Sequence, residues 1–451
     1  MAKVKTSKET YKKALRIAVP AIVESFFIAL VGLIDSYMVS NVDPYAVAAV
    51  GLTVQPKFIG LAIFLAISVS TSAIVARRFG EQRKKDANET LITTLVIVLA
   101  LAIVLSFIYI IFADEIISFC GSSANTHENA TTYLKIVMGG MLFNCLQIAI
   151  NSAQRGAGNT KITMITNVTS NLVNVVFNYL LIGGKFGFPK LGVAGAAIAT
   201  VLGTVVSSIM SICSLLNKER FVSLIFVFKE KIRPTVNAFK SIIKFGYSVF
   251  LEQLFLRVGF AATALMAADM GDNAMAAHQT AMNFLTINFA FGDGLQSAAV
   301  ALIGKSLGEK NPDKAKAYGT ACQVLGLGIS LVLAILYLLI SKVVMDAFFP
   351  TSTEIADIGE ILLKFQIIIV LFQISNVVFM GSLRGAGDTV YTAIVSSISV
   401  TFVRTIVSYV CAYTFGLGIL GVWFGVLADA VVKFILASLR FKSGKWVQIK
   451  V

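Results

Sequence analysis

The sequence predicts an all-α integral membrane protein of twelve transmembrane helices in two six-helix lobes. Three observations predict it. Hydrophobic residues make up 57% of the 451 positions and charged residues only 14%, against about 25% charge in ordinary soluble domains. The apolar residues fall in runs of about 20 or more, the length that crosses a bilayer as a helix. The basic residues cluster in alternate connections between those runs.

The spans are read at 14–40, 46–76, 90–113, 132–153, 160–183, 191–215, 241–268, 273–304, 318–348, 356–380, 388–414 and 417–441. Helices are the expected form, because an open sheet edge leaves backbone groups unsatisfied in lipid, and these runs are too long for barrel strands. The amino-terminus is basic (Lys3, Lys5, Lys8, Lys12, Lys13, Arg16) and then turns apolar. The apolar stretch is longer than a signal-peptide core and ends in no convincing cleavage site, so it reads as an uncleaved first span. Arg77, Arg78, Arg83, Lys84 and Lys85 follow span two, and Lys218, Arg220, Lys229, Lys231 and Arg233 follow span six. The opposite connections carry few basic residues, Lys185 and Lys190 being the clearest. Both termini are therefore expected in the cytoplasm, with the chain in the inner membrane. The net charge of +14 is spread over these short loops and does not form a nucleic-acid surface. The five cysteines (Cys120, Cys145, Cys213, Cys322, Cys411) are odd in number and widely spaced, which fits free thiols and no disulfide or metal framework.

The halves repeat. A shift of 228 residues lays Glu24 on Glu252, Ala48-Ala49 on Ala276-Ala277 and Gly80-Glu81 on Gly308-Glu309. A shift of 229 lays Arg155-Gly156-Ala157-Gly158 on Arg384-Gly385-Ala386-Gly387. Six spans per half return each repeat to the same side, which implies a pseudo-two-fold axis along the membrane normal. The expected organisation is an N-lobe over 1–215, a cytoplasmic linker over 216–240 containing Pro234, and a C-lobe over 241–451. The apolar stretch 221–228 of the linker is placed at the membrane surface.

Ionisable groups inside spans carry the functional signal, since a carboxylate at mid-bilayer costs about 2.5–3.5 kcal/mol on insertion scales. Span one holds Glu24 and Asp35. Eleven residues at 100° each bring them to one face, about 16 Å apart along the axis. Span four carries Asn144, Gln147, Asn151 and Gln154, and span five Asn167, Asn171, Asn174 and Asn178, each set forming one polar stripe. Two readings stand for the stripes: hydrogen bonds between helices, or the wall of a hydrated chamber with oxygen ligands for a proton or Na⁺. In the second half the candidates are Glu252, Gln253 and Arg257 on span seven, Gln279, Asn283, Thr286 and Asp293 on span eight, and Gln373 and Asn376 on span ten. Arg257 is read as the neutralising partner of Glu252 or Asp293 if these acids are structural. Arg404 and Asp429 form a further expected pair with no assigned role, and His278 is read first as a packing residue.

Other motifs fail. Gly416-Leu417-Gly418-Ile419-Leu420-Gly421 matches a dinucleotide fingerprint by letter but follows no strand. Gly304-Lys305-Ser306 lacks the first glycine of a phosphate loop, Ala299 standing there. With no nucleotide-binding domain, no cofactor is expected, and transport would draw on an ion gradient.

The combination resembles the multidrug-and-toxin-extrusion (MATE) transporters over nearly the whole chain. The resemblance rests on Pro20 with Ile34-Asp35-Ser36-Tyr37-Met38-Val39, on Arg155-Gly156-Ala157-Gly158-Asn159, and on Ala276-Ala277-His278-Gln279. Gly304-Lys305-Ser306-Leu307-Gly308-Glu309 and Gly381-Ser382-Leu383-Arg384-Gly385 complete it. It implies a V-shaped pair of lobes around a central cleft and antiport by alternating access. H⁺ or Na⁺ would enter as a cationic or amphipathic small molecule leaves, from a monomeric protein in the bilayer. It implies a coupling site at Asp35 with Asn151, Asn174 and Thr200 as polar neighbours; Glu24 joins them as a candidate from its place on the same face of span one. Asn178 stands where some members carry a second aspartate. It also implies a cation or drug role for Glu252, with Gln373 where some members have an aspartate, and a transient Na⁺ near Asp35 or Glu252 with no structural metal. Three rival classes compete with this reading: a lipid-linked oligosaccharide flippase of the same superfamily, a membrane enzyme and a receptor. The acid- and amide-rich interior favours a cation exporter over the flippase. No nucleophile–base pair supports an enzyme, and no effector domain supports a receptor.

Overall fold

The computed structural model describes residues 7–40, 45–349 and 352–449. Lys3 and Lys5 of the basic amino-terminus lie outside the described residues, as do the side chains of Ser36 and Tyr37. Every described element is helical. In chain order they are α1 (Lys8–Ser40), α2 (Ala46–Gly80), α3 (Lys84–Ile111), α4 (Ala113–Phe119), α5 (His127–Gly139), α6 (Met141–Gly156), α7 (Thr160–Gly183), α8 (Gly192–Leu215) and α9 (Leu224–Lys229). Then follow α10 (Val236–Asp269), α11 (Asp272–Gly308), α12 (Pro312–Phe348), α13 (Thr353–Gly385), α14 (Thr389–Ile398), α15 (Arg404–Tyr409) and α16 (Gly418–Ser443).

Among the described residues ten helices are long and apolar enough to cross a membrane, counting Thr389–Thr414 as one; α5 and α6, bent by 47° at Gly140, make an eleventh. The twelfth expected span is α11. It is 37 residues long, but Asn283, Asn288, Asp293 and Gln296 lower its hydropathy. The protein is a multi-pass membrane protein.

Sequence chemistry sets the helix limits. α12 starts where Pro312 occupies the first turn and the side chain of Asn311 accepts from the Lys314 backbone N–H at 2.9 Å. α7 stops at Gly184, which takes the left-handed conformation (φ 66°) at the helix end. Pro56 sits inside α2, and its carbonyl accepts a hydrogen bond from the Tyr109 hydroxyl at 2.7 Å. A proline in a buried span is tolerated where neighbours satisfy the disturbed backbone.

The helices gather into two compact units, residues 23–246 and residues 1–22 with 247–451. The breaks fall inside α1, between Ile22 and Val23, and inside α10, between Gly246 and Tyr247. Contacts thus divide the chain at other residues than the repeat does. The segment 216–240 is tied to α3 of the first of these units. Asn88 donates to the Phe221 carbonyl and accepts from the Ser223 backbone N–H, both at 2.9 Å. At the other end, Ala14 and Ala18 of α1 pack into a cluster with Leu295, Tyr318 and Trp446.

In the unit 23–246, α7 and α8 pack closely through small residues. A Cβ on Gly203 would lie 2.6 Å from the Ser170 carbonyl oxygen, and one on Gly195 2.7 Å from that of Leu181. In the other unit α13 is the central helix, buried without interruption from Gln373 to Gly385, and it packs on α11, α12 and α16. We expect Gly203→Leu to lower stability in detergent by about 1–3 kcal/mol. Thermal melts check this. Because Gly203 lets Thr200 approach Asn174, the substitution should also reduce transport without touching an acid.

Candidate functional site

Three of the carboxylates within the spans, Glu24, Glu252 and Asp35, differ in their partners. Glu24, on α1, is 4% exposed. It accepts from Arg155 Nη1 at 3.0 Å, Thr163 Oγ1 at 2.8 Å and Asn167 Nδ2 at 2.6 Å. Its charge is therefore met by one guanidinium and two further donors, the arrangement that makes a buried carboxylate tolerable. Glu252, on α10, is 2% exposed. Arg384 Nη2 donates to both its oxygens at 2.7 Å, and Arg384 Nη1 donates to Gln296 Oε1 at 3.2 Å. Of the two acids offered as partners of Arg257, Glu252 is held by Arg384 instead. Arg384, at the end of α13, fills that carboxylate, because the end of α13 reaches the level of Glu252 with a planar donor group.

The two pairs are the same feature twice. Glu24 and Glu252 are equivalent in the repeat, and so are Arg155 and Arg384. Each unit bolts its first long helix to the end of its fourth span through the arginine of an Arg-Gly-Ala-Gly turn.

Asp35 is different. Asn178 Nδ2 donates to Asp35 Oδ1 at 2.6 Å. The Asn174 amide is satisfied when its NH₂ faces the same carboxylate, at 2.8 Å from Oδ1 and 3.1 Å from Oδ2. Its oxygen then accepts from the backbone N–H and hydroxyl of Thr200, both at 3.2 Å. No arginine or lysine comes within salt-bridge distance of Asp35 among the described residues. Lys57, on α2, is the basic group whose field reaches it, and Tyr133 is buried beside Thr200. Asn178 Oδ1 is buried and has no donor. The site therefore offers a carboxylate and an amide oxygen, ligands suited to a proton or a small hard cation.

The amide stripes divide between the two acids. Asn174 and Asn178 face Asp35, and Asn167 faces Glu24. Asn151, expected beside Asp35, instead donates to Thr166 Oγ1 at 3.1 Å and accepts from Ser211 Oγ at 3.2 Å. Gln147 joins Asn167 to Ser207, and Gln154 donates to Ser214 at 3.1 Å. The α6 stripe thus links α6 to α7 and α8, the interhelical reading. Asn171 Nδ2 is buried without a partner.

In the other unit the expected set is scattered. Gln279 and Asp293 are exposed, while Gln253, Arg257 and Asn283 are half-buried. Asn376 and Gln373 are buried, and both amide atoms of Gln373 lack partners. A network the sequence reading missed lies nearby: Asn288 donates to Gln366 Oε1 at 2.9 Å and accepts from the Tyr337 hydroxyl at 2.5 Å. His278 packs edge-on against Trp423, with ring centroids 5.7 Å apart. Lys57, Tyr133 and Gln296 were also missed. Lys57 carried a signal, being an ionisable residue inside an apolar run; Tyr133 and Gln296 carried none.

A family model described as MatE matches residues 20–180 and again 248–410. The two matches begin 228 residues apart (20 and 248), the shift that superposes Glu24 on Glu252. The chain belongs to the MatE family of transporters. A probable multidrug resistance protein NorM from Thermotoga maritima is 26% identical over 438 residues, covering 97% of this chain and 93% of the relative. The uncharacterized transporter YisQ of Bacillus subtilis is 26% identical over 429 residues, with 95% and 93% covered. An outward-facing multidrug resistance MATE family transporter of the MOP superfamily shares the fold with a TM-score of 0.90 at 22% identity, with 98% and 99% covered. A MOP superfamily transporter from Pyrococcus furiosus has a TM-score of 0.86 at 22% identity, with 98% and 99% covered.

Removing one partner from a buried pair leaves a bare charge, so we expect Arg155→Met and Arg384→Met each to destabilise the protein by about 3–5 kcal/mol. The double variant Glu252→Gln with Arg384→Met should recover part of that loss. Detergent melts on the single and double variants measure both.

Proposed function

We propose that this protein is a cation-coupled antiporter that exports organic cations and amphipathic drugs, with H⁺ or Na⁺ as the coupling ion at Asp35. One observation carries the reading: of the three acids, Asp35 alone has neutral amides and no bonded cation among the described residues. Glu24 and Glu252 already have a tethered cation in bonding contact. Asp35 has donors that stabilise its charged form but no charge that cancels it, so it can exchange a proton or small ion with a solute. The multidrug names of the relatives support the substrate class.

The physical sequence is short. With the coupling ion on Asp35 the site is neutral, and α1 can pack against α7 without a bare charge in low dielectric. Loss of the ion restores the carboxylate, which then demands donors or a cation. A positively charged solute and the coupling ion are alternatives at that carboxylate, and the two states favour different packing of α1. A ligand shifts such an equilibrium only by its differential affinity for the two states. Glu252, Gln253, Gln373 and Asn376 remain candidates for solute contact in the other unit, with Arg384 having to leave Glu252 before a solute cation could reach it. Both termini face the cytoplasm of a cell whose inner membrane holds the protein.

We expect Asp35→Asn to abolish ethidium export from cells and from everted vesicles at normal membrane abundance. Glu24→Gln should chiefly lower abundance. Imposing a pH gradient or a Na⁺ gradient separately on the vesicles identifies the coupling ion. Full export by Asp35→Asn removes Asp35 from the mechanism. A fluorescent protein fused after residue 451 should mature and glow, as expected for a cytoplasmic carboxy-terminus; a dark fusion reverses the topology.

A further inference from the structure

Arg404 lies in the interior of the unit of residues 1–22 and 247–451. Its side chain is 1% exposed, and it makes no hydrogen bond: Nε and Nη2 are buried without acceptors. Its one carboxylate neighbour, Asp429, is 4.0 Å from Nη1, too far for a hydrogen bond. Asp429 is turned instead to Lys433, whose Nζ lies 2.9 Å from Oδ1 and 3.0 Å from Oδ2. Arg404 rests on the face of Phe260, 4.5 Å from the ring centroid. Two cations and one carboxylate leave one positive charge uncancelled in a buried core.

Asp429 Oδ1 makes no hydrogen bond either, but its charge is met by Lys433, and a second buried donor lies in the same unit. Trp423 is fully buried and its indole N–H has no acceptor. The ring of His278 packs on Trp423, lies within reach of the Arg404 charge, and has its own buried Nδ1 unpartnered. Arg404 is also flanked by two five-residue π-helical turns, Ser399–Val403 and Val410–Thr414. Such turns are rare and occur mostly at functional sites.

A guanidinium and an indole N–H buried without acceptors destabilise the fold unless something meets them. A small anion beside Arg404 cancels the charge and accepts from the free Nε–H and Nη2–H. We propose that Arg404, with Trp423 and His278, forms a buried anion site that takes chloride. The near-complete burial of all three residues favours a monatomic ion over a carboxylate or phosphate. The ion would be a structural element of this unit, independent of the exchange at Asp35.

The test is thermal unfolding of the purified full-length protein in detergent, with sodium chloride replaced stepwise by sodium gluconate at constant ionic strength. A ligand that binds the folded state raises the melting temperature with the logarithm of its concentration above saturation. The expected result is such a rise, its loss in Arg404→Gln, and a shift to higher chloride in Lys433→Met, where Asp429 is released to pair with Arg404 and competes with the ion. A parent protein with no chloride-dependent rise overturns the proposal, and so does a folded Arg404→Gln protein that responds as the parent does. If Arg404→Gln yields no folded protein, Lys433→Met decides, and an unchanged chloride response there overturns the proposal.

Discussion

A carboxylate inside hydrocarbon must be met by a cation, by enough donors, or by a proton. This chain uses different solutions for its acids, and the difference organises the protein. Glu24 and Glu252 are closed by arginines. Asp35 is held by two asparagine amides, one of which is fixed by Thr200. The closed acids hold helices together, and the open one is left to exchange. Everything proposed about transport follows from that distinction.

The duplicated Glu–Arg pair also explains the low-identity repeat. Most positions in the two halves have diverged, since any apolar side chain of suitable size serves in a span. The positions that match are those where geometry is strict. Among them are an acid that meets a planar donor group from another helix and the small-residue turn that carries that donor. MatE matches at 20–180 and 248–410 follow the same division. The lobes then specialised differently. The unit with Asp35 lines its acid with asparagines from α7, while the other unit carries the Asn288–Gln366–Tyr337 network and the uncancelled charge of Arg404.

The fold was legible in the sequence to within a few residues at most helix ends, because lipid imposes a length and polarity rule that single residues cannot override. The exception in appearance, α11, is a span whose polar residues lower its hydropathy. The Asp35 site was legible in part: the 4-3-4 spacing of Asn167, Asn171, Asn174 and Asn178 put two amides on the acid. Asn151 shared the periodicity but faces Thr166 and Ser211, since a stripe reports the face of its own helix and not the depth of the partner. The partners of Glu24 and Glu252 were present as repeated motifs, yet the arginines stand more than 130 positions away in sequence, and only packing joins them. Arg257 looked like the partner of Glu252 because it lies nearby on the same helix.

The central claim is that a solute cation and the coupling ion displace each other at Asp35. The most direct measurement is ion release on binding. Ethidium is titrated into purified protein in weakly buffered detergent solution, with a pH indicator following protons and the titration repeated over a range of Na⁺. The account predicts cation release that saturates with the dye, persists in folded Glu252→Gln protein, and is absent in Asp35→Asn. Dye binding with no ion release, or undiminished release from Asp35→Asn, would contradict it.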